Sequence, residues 1–476
     1  MKKLLTVLVL SIVMIACKTE KKEEVQVVEE TKEIAAVSDE MMESAVIYEA
    51  NIRQYSPEGT FSEFTKDIPQ LKQLGVKIIW LMPVFPISET KRKATGGDFA
   101  HLIEDKETRD KMLGSYYAVS DFTKINPEFG TIEDFRTLVN TAHDNDIYVI
   151  LDWVPNHTGW DHTWLKTNPE FYTKNDKGEI TDPLNEDGTP IGWADVADLN
   201  YDSQELREEM LKDMMYWITE ENIDGFRCDV AGAVPVDFWE ETIPKLRKEK
   251  DLFMLAEAWE PELLKGNLFD MAYAWDGHHV MNAIAKGEKN LKDWDDYMKK
   301  MYAERYEADD ILMNFVTNHD ENSWNGTIKE RMGDASEIMT AFSYVVPGMP
   351  LIYSGQEYDL SHRLKFFEKD SIPKTKGKAW DLLVKLGTLK NTNPALNGGK
   401  QVAALMRPVT NNDAVLIIKR SKNGNVVTFV GNFSDKEQSI IMPEGKSLDY
   451  MANKKVTFKG GETLNLKPWE YKILVE

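Results

Sequence analysis

The apolar positions of this chain follow two different rhythms, with the change near Asn393. From about residue 45, short β-rich apolar runs alternate with longer amphipathic stretches, the pattern of repeated strand and helix units around a parallel sheet. The runs predict eight strands, at Val46–Ile52, Lys77–Met82, Ile147–Trp153, Asp224–Asp229, Leu252–Glu257, Phe269–Ala274, Ile311–Thr317 and Pro350–Tyr353. Helices are predicted over Phe61–Leu74, Ile132–Asn145, Gln204–Glu221, Val236–Lys248, His279–Tyr302, Ala335–Val345 and Ala379–Leu389. That many units favour an α/β fold of the closed (β/α)8 barrel type, a TIM barrel, over an open doubly wound sheet, which is normally shorter. The barrel is assigned to residues 44–154 and 203–392.

Two connections exceed the usual few residues. Pro83–Gly130 follows the second strand, and Pro155–Asp202, rich in Trp, Asn, Asp, Gly and Pro, follows the third. The latter predicts a protruding subdomain at residues 155–202, at the carboxyl-end face where such barrels carry their sites. After Asn393, apolar and polar residues alternate in Val402–Met406, Ala414–Lys419, Asn425–Phe433, Gln438–Met442, Leu448–Met451, Lys455–Phe458 and Trp469–Val475. This predicts an all-β sandwich domain at residues 393–476.

At the N-terminus, Lys2 and Lys3 precede an apolar run from Leu4 to Ile15, too short to span a bilayer and shaped like a signal peptide at residues 1–16. Ala16 before Cys17 resembles a bacterial lipoprotein cleavage box, which implies Cys17 as the lipidated first residue of the mature chain; the alternative is an ordinary signal cleaved near Ala16. Residues 17–43, dominated by Lys, Glu and Val, predict a disordered tether. Lys18 after the cysteine resembles an outer-membrane sorting signal, so the expected location is exported and lipid-anchored. Cys228 is the only other cysteine, which leaves no disulfide framework. A net charge of -23 and a pI near 4.9 argue against nucleic acid and for a neutral ligand.

The chemistry gathers where strands end. The third strand runs into DWVPNH, with Asp152, Asn156 and His157; the fourth into GFRCDV, with Arg227 and Asp229; the fifth into LAEAW, with Glu257; the seventh into FVTNHDEN, with Asn318, His319, Asp320 and Asn322. One carboxylate at a strand end often only caps a helix or pairs with a cation. Four such ends in this order resemble the signature segments of the α-amylase family of glycoside hydrolases, and the resemblance extends from about Glu49 to the C-terminus.

The resemblance implies that Asp229 is the nucleophile, Glu257 the general acid and base, and Asp320 a third carboxylate that holds sugar hydroxyls. It further implies that His157 and His319 bond hydroxyls of the sugar at the cleavage site and that Tyr117, in GSYYAVSDF, stacks under it, with Tyr116 the alternative. Arg227, two residues before Asp229 on an extended strand, shares its side and can keep it ionised. Apolar neighbours Leu255, Ala256, Ala258 and Trp259 and the charge of Asp229 are expected to keep Glu257 protonated. Asp152 is expected to orient Arg227. Trp153, Trp160, Trp193, Trp259 and Trp324 are candidates for glucose platforms, Trp80 for packing, and Cys228 for a small buried side chain. His278 and His279 are given no metal role.

The family pattern is not kept everywhere. Val196–Asn200 lacks the proline of a family PDLN segment, which leaves α-1,4 against α-1,6 preference open. Val230–Ala233 lacks the histidine whose carbonyl helps hold calcium in many members, so a structural calcium stays open, while no cofactor is required for the chemistry. The expected partner is an α-glucan or maltooligosaccharide, alongside other glucan-uptake proteins. Two alternatives remain: a transglycosylase with the same site, and a non-catalytic glucan-binding protein, which the complete carboxylate set disfavours.

Overall fold

The structure, a computed structural model, describes residues 34–185 and 187–476. The signal segment, Cys17 and most of the tether assignment lie outside the described residues.

Eight parallel strands close a barrel: β1 (Val46–Ala50), β2 (Val76–Leu81), β3 (Tyr148–Trp153), β4 (Gly225–Cys228), β5 (Phe253–Ala256), β6 (Met271–Tyr273), β7 (Ile311–Asn314) and β8 (Met349–Tyr353). Each pairs with its neighbour in sequence, and β1 closes the ring on β8 through Ile47 opposite Leu351 and Tyr48 opposite Ile352. Alternation sorts the side chains into two cores. Ile47, Ile78, Trp80, Ile150, Leu255, Met271, Met313 and Leu351 fill the barrel, while Tyr48, Ile79, Leu151, Phe226 and Ala256 face the surrounding helices. Gly225 opens β4 at φ 145°, where a Cβ would lie 1.9 Å from the Phe253 carbonyl oxygen, so the close approach of β4 to β5 requires glycine.

Three expectations change. The predicted helix His279–Tyr302 is two helices, Trp275–Ala285 and Leu291–Lys299, because Gly287 turns at φ 73° and Asn290 and Asp293 form a capping box that restarts the chain. Phe61–Leu74 is likewise broken into Phe61–Thr65 and Ile68–Leu71, with Pro69 in the first turn of the second piece. The tether does not run to Glu43: Ser38 caps a helix at Asp39–Glu43, and buried Val37, Met41 and Met42 join the barrel-interior cluster from below. Burying those apolar side chains is what orders the segment.

The long connection after β3 carries an antiparallel pair, His157–Gly159 with Val196–Asp198. The C-terminal domain forms a six-stranded sheet and a two-stranded one, with Val415, Ile417, Val430, Ile440, Met442, Leu466 and Leu474 as their core. Its strand Glu462–Leu466 escaped the sequence reading, since only Leu464 and Leu466 in it are apolar.

Candidate active site

Barrel parity builds the site. Glu49, Trp80, Asp152, Arg227, Glu257 and Tyr273 all continue the inward-facing register of their strands, each two positions past the inward residue before it. They therefore meet at its carboxyl end. Arg227, fully buried, is the hub. Its Nη1 donates to Asp152 Oδ1 and to Asp229 Oδ1, each at 2.8 Å, and its Nε donates to Tyr273 Oη at 3.2 Å. Its Nη2 lies 2.8 Å from Glu257 Oε2, a close ion pair that lacks hydrogen-bond alignment.

Asp229 and Glu257 thus sit on adjacent nitrogens of one guanidinium. The backbone between them is shaped for this. Val230 adopts φ 36° and ψ 47°, a left-handed conformation that costs a β-branched residue about 1–3 kcal/mol. There its amide donates to Glu257 Oε2 at 3.0 Å. With Oε2 taken by a cation and an amide, a proton on Glu257 belongs on Oε1. Burial raises the Glu257 carboxyl, Arg227 opposes the shift and the charge of Asp229 adds to it. Burial also raises Asp229, against Arg227 and a hydrogen bond from it. Of the apolar sequence neighbours expected to protect the Glu257 proton, Leu255 shares its inward side of the barrel, while Ala256, by alternation, faces the helices.

Asp152 is fully buried and accepts from Arg227, from Trp80 Nε1 at 3.1 Å and from Tyr117 Oη at 3.0 Å. Burial pushes it up to about 7, and Arg227 pulls it down. Trp80 therefore has a polar task besides packing. His319 joins the network through Nε2, 2.8 Å from Tyr117 Oη and 3.4 Å from Asp320 Oδ2, and through Nδ1, 2.5 Å from Glu49 Oε1. His157 is buried beside Asn156, whose Nδ2 lies 3.2 Å from His157 Nδ1, and burial lowers it to about 4, so it is neutral.

These groups open onto a cleft of about 330 Å³ lined by Tyr117, His157, Asp229, Glu257, His319 and Asp320. Trp193 and Asp195 from the subdomain, Lys93, and the packed group Trp324, Phe366 and Phe367 complete its lining. Tyr116 is not part of it; it is buried, bonding Asn51 under the Arg53 guanidinium. Trp153 is core, Trp160 lies under the Lys91 ammonium, and exposed Trp259 stacks on Trp275 at 5.8 Å. Cys228 faces the helices, fully buried. Among the described residues, no three His, Cys, Asp or Glu side chains are arranged to hold a metal ion. The sequence reading missed Glu49, Tyr273, Lys93, Asp195, Phe366 and Phe367; for Glu49 and Tyr273, inward parity was the available signal.

The family model "Alpha amylase, catalytic domain" matches residues 30–183 and 190–385. The chain belongs to the alpha-amylase family. Among solved members, an alpha-amylase from Lactobacillus plantarum superposes with a TM-score of 0.79 at 26% identity, over 92% of this chain and 100% of that one. A noncanonic maltogenic alpha-amylase from Thermotoga neapolitana gives 0.77 at 27%, over 91% and 99%. Alpha-amylase 3 of Dictyoglomus thermophilum is 26% identical over 66% of this chain and 64% of its own length, and a 4-alpha-glucanotransferase of Thermotoga neapolitana is 29% identical over 63% and 67%. The chain thus spans about two thirds or less of several curated alpha-amylase-family relatives that it matches.

Proposed function

We propose that the protein is a retaining α-glucoside hydrolase acting on starch-type α-glucans or maltooligosaccharides. The observation that carries this is the pair Asp229 and Glu257 on one guanidinium at the cleft floor. A retaining mechanism needs two carboxyl groups about 5 to 5.5 Å apart, one ionised and one protonated. The aligned hydrogen bond from Arg227 keeps Asp229 ionised, and Glu257, without such a bond and facing the Asp229 charge, carries the proton. With Oδ1 held by Arg227, Asp229 attacks the anomeric carbon through Oδ2 while Glu257 Oε1 passes its proton to the departing glycosidic oxygen. The resulting glycosyl-aspartate is released when the Glu257 carboxylate takes a proton from water and the oxygen attacks the same carbon. Tyr117 stacks on the sugar, and His157, His319 and Asp320 hold its hydroxyls.

The test is turnover of maltoheptaose by Asp229→Asn and Glu257→Gln, with loss of about 10²–10⁴-fold expected for the latter from the missing proton transfer and more for the former. Wild-type rate in either variant would refute the roles. The wild-type kcat/KM should rise with pH as Asp229 ionises and fall as Glu257 loses its proton; raised carboxyls place both changes above the ordinary carboxylate range, and Glu257→Gln should remove the part of the alkaline fall that its proton loss causes. Similarity to a 4-alpha-glucanotransferase supports a second reading, transfer to a sugar acceptor, which products longer than maltoheptaose would reveal. We also propose export with a lipid anchor at Cys17, at an outer membrane, where glucan-uptake proteins would take the products; the support is the apolar run ending in Ala16. Cys17→Ala should move the protein from the membrane to the soluble fraction.

A further inference from the structure

The hydrogen bonds around His319 admit few arrangements of protons. Tyr117 Oη lies 3.0 Å from Asp152 Oδ2 and 2.8 Å from His319 Nε2. A phenol has one proton, and Asp152, held as an acceptor-only carboxylate by the Arg227 ion pair and the Trp80 N–H, takes it. Nε2 must then donate to Tyr117. On the other side of the ring, Nδ1 is 2.5 Å from Glu49 Oε1, and the His319 amide is 3.4 Å from the same oxygen. Glu49 is fully buried at the end of β1, and its Oε2 has no hydrogen-bond partner among the described residues. An isolated carboxylate there would be costly, and a facing cation relieves that cost.

We propose that Glu49 is a positioning residue which holds His319 as an imidazolium, both ring N–H groups donating, so that the one Nε2 proton stays fixed toward Tyr117, beside Asp320 on the side where the substrate binds. The consequence for catalysis rests on the hydrolase reading; the proton arrangement does not. The charged or titratable groups facing His319 are Glu49 from β1, Tyr117 from the connection after β2, Asp152 from β3, Arg227 and Asp229 from β4 and its end, Glu257 from the end of β5, and Asp320 beside it. Burial and Arg227 work against the imidazolium, but Asp320 and Glu49 outweigh them and push it up to about 9. Without Glu49, only Asp320 and the more distant carboxylates oppose burial.

The experiment is a nitrogen-15 NMR titration of the imidazoles in the free, full-length protein, with His319 among the 8 histidines assigned by His319→Gln. In the wild type both His319 nitrogens should stay protonated through neutral pH. In Glu49→Gln the titration should move down by about one unit or more, the scale of one lost charge partner. The alkaline limb of kcat/KM on a maltooligosaccharide should move the same way, and Glu49→Asp should recover part of the shift. A wild-type His319 that is neutral near pH 7, with the proton on Glu49 or absent, overturns the proposal. So does a Glu49→Gln variant that loses activity equally at all pH values with the His319 titration unmoved. If Glu49→Gln does not fold, the wild-type titration alone decides. Because that titration needs no substrate, inactivity on α-glucans would end the hydrolase reading and leave this result standing.

Discussion

Lys390 and Arg420 at the amino-end floor of the barrel are as completely buried as Arg227 at its mouth, yet they meet neutral partners where Arg227 meets charged ones. Lys390 Nζ donates to the carbonyls of Gly348 and Leu396 at 3.0 and 2.6 Å, and Arg420 to those of Val345, Asn397 and Ala403 at 2.6, 2.7 and 3.3 Å. Burial accordingly pushes Lys390 down to about 7 and Arg420 down to about 10. Arg227 goes the other way, held well above its ordinary value against burial by Asp152 and Glu257. The floor uses cations to satisfy carbonyls and lock the C-terminal domain to the barrel. The mouth concentrates Glu49, Asp152, Asp229, Glu257 and Asp320 around Arg227 and His319, an excess of negative charge suited to a sugar ring that becomes cationic in the transition state.

The sharpest way to break this contrast is Arg227→Met. It leaves three carboxylates without their shared cation, and removing one partner from a buried charge cluster costs about 3–5 kcal/mol. Urea unfolding should show that loss, shrinking as the pH is lowered and the carboxyls take up protons, and glucan hydrolysis should disappear. Retained activity would remove Arg227 from the centre of the site. Met42→Ala probes the floor. The buried side chain should cost about 2–3 kcal/mol, with kcat unchanged because the cavity opens at the end opposite the cleft. A change in kcat would mean that the two ends are coupled. The smallest effect is expected from Ser38→Ala, which removes the cap accepting from the Met41 amide and should lower stability by about 1 kcal/mol in the same unfolding measurement.

Much of the site was legible because a strand carries its own ruler. Asp152, Arg227, Asp229 and Glu257 each close an apolar run, and the sequence reading placed them on one face before any partner was known. Glu49 closes a run too, but with no neighbouring histidine or second carboxylate to mark it, and its partner His319 lies 270 residues away. Lys390 was equally silent, since in the amphipathic helix Lys378–Thr392 a buried lysine reads like a solvated one. Phe366 and Phe367 belong to a connection without periodicity, and only loop convergence brings them to the same cleft as Trp193.

By itself, the order of residues determined the number of barrel strands, their inward and outward faces, and which strand ends carry acids; these follow from covalent geometry that repeats every second residue. Closure of the ring decided the rest. Which acids share Arg227, where the proton on Glu257 sits and what charges His319 all depend on distance and exclusion of water across strands remote in the chain, and an electrostatic energy has no value until those distances exist.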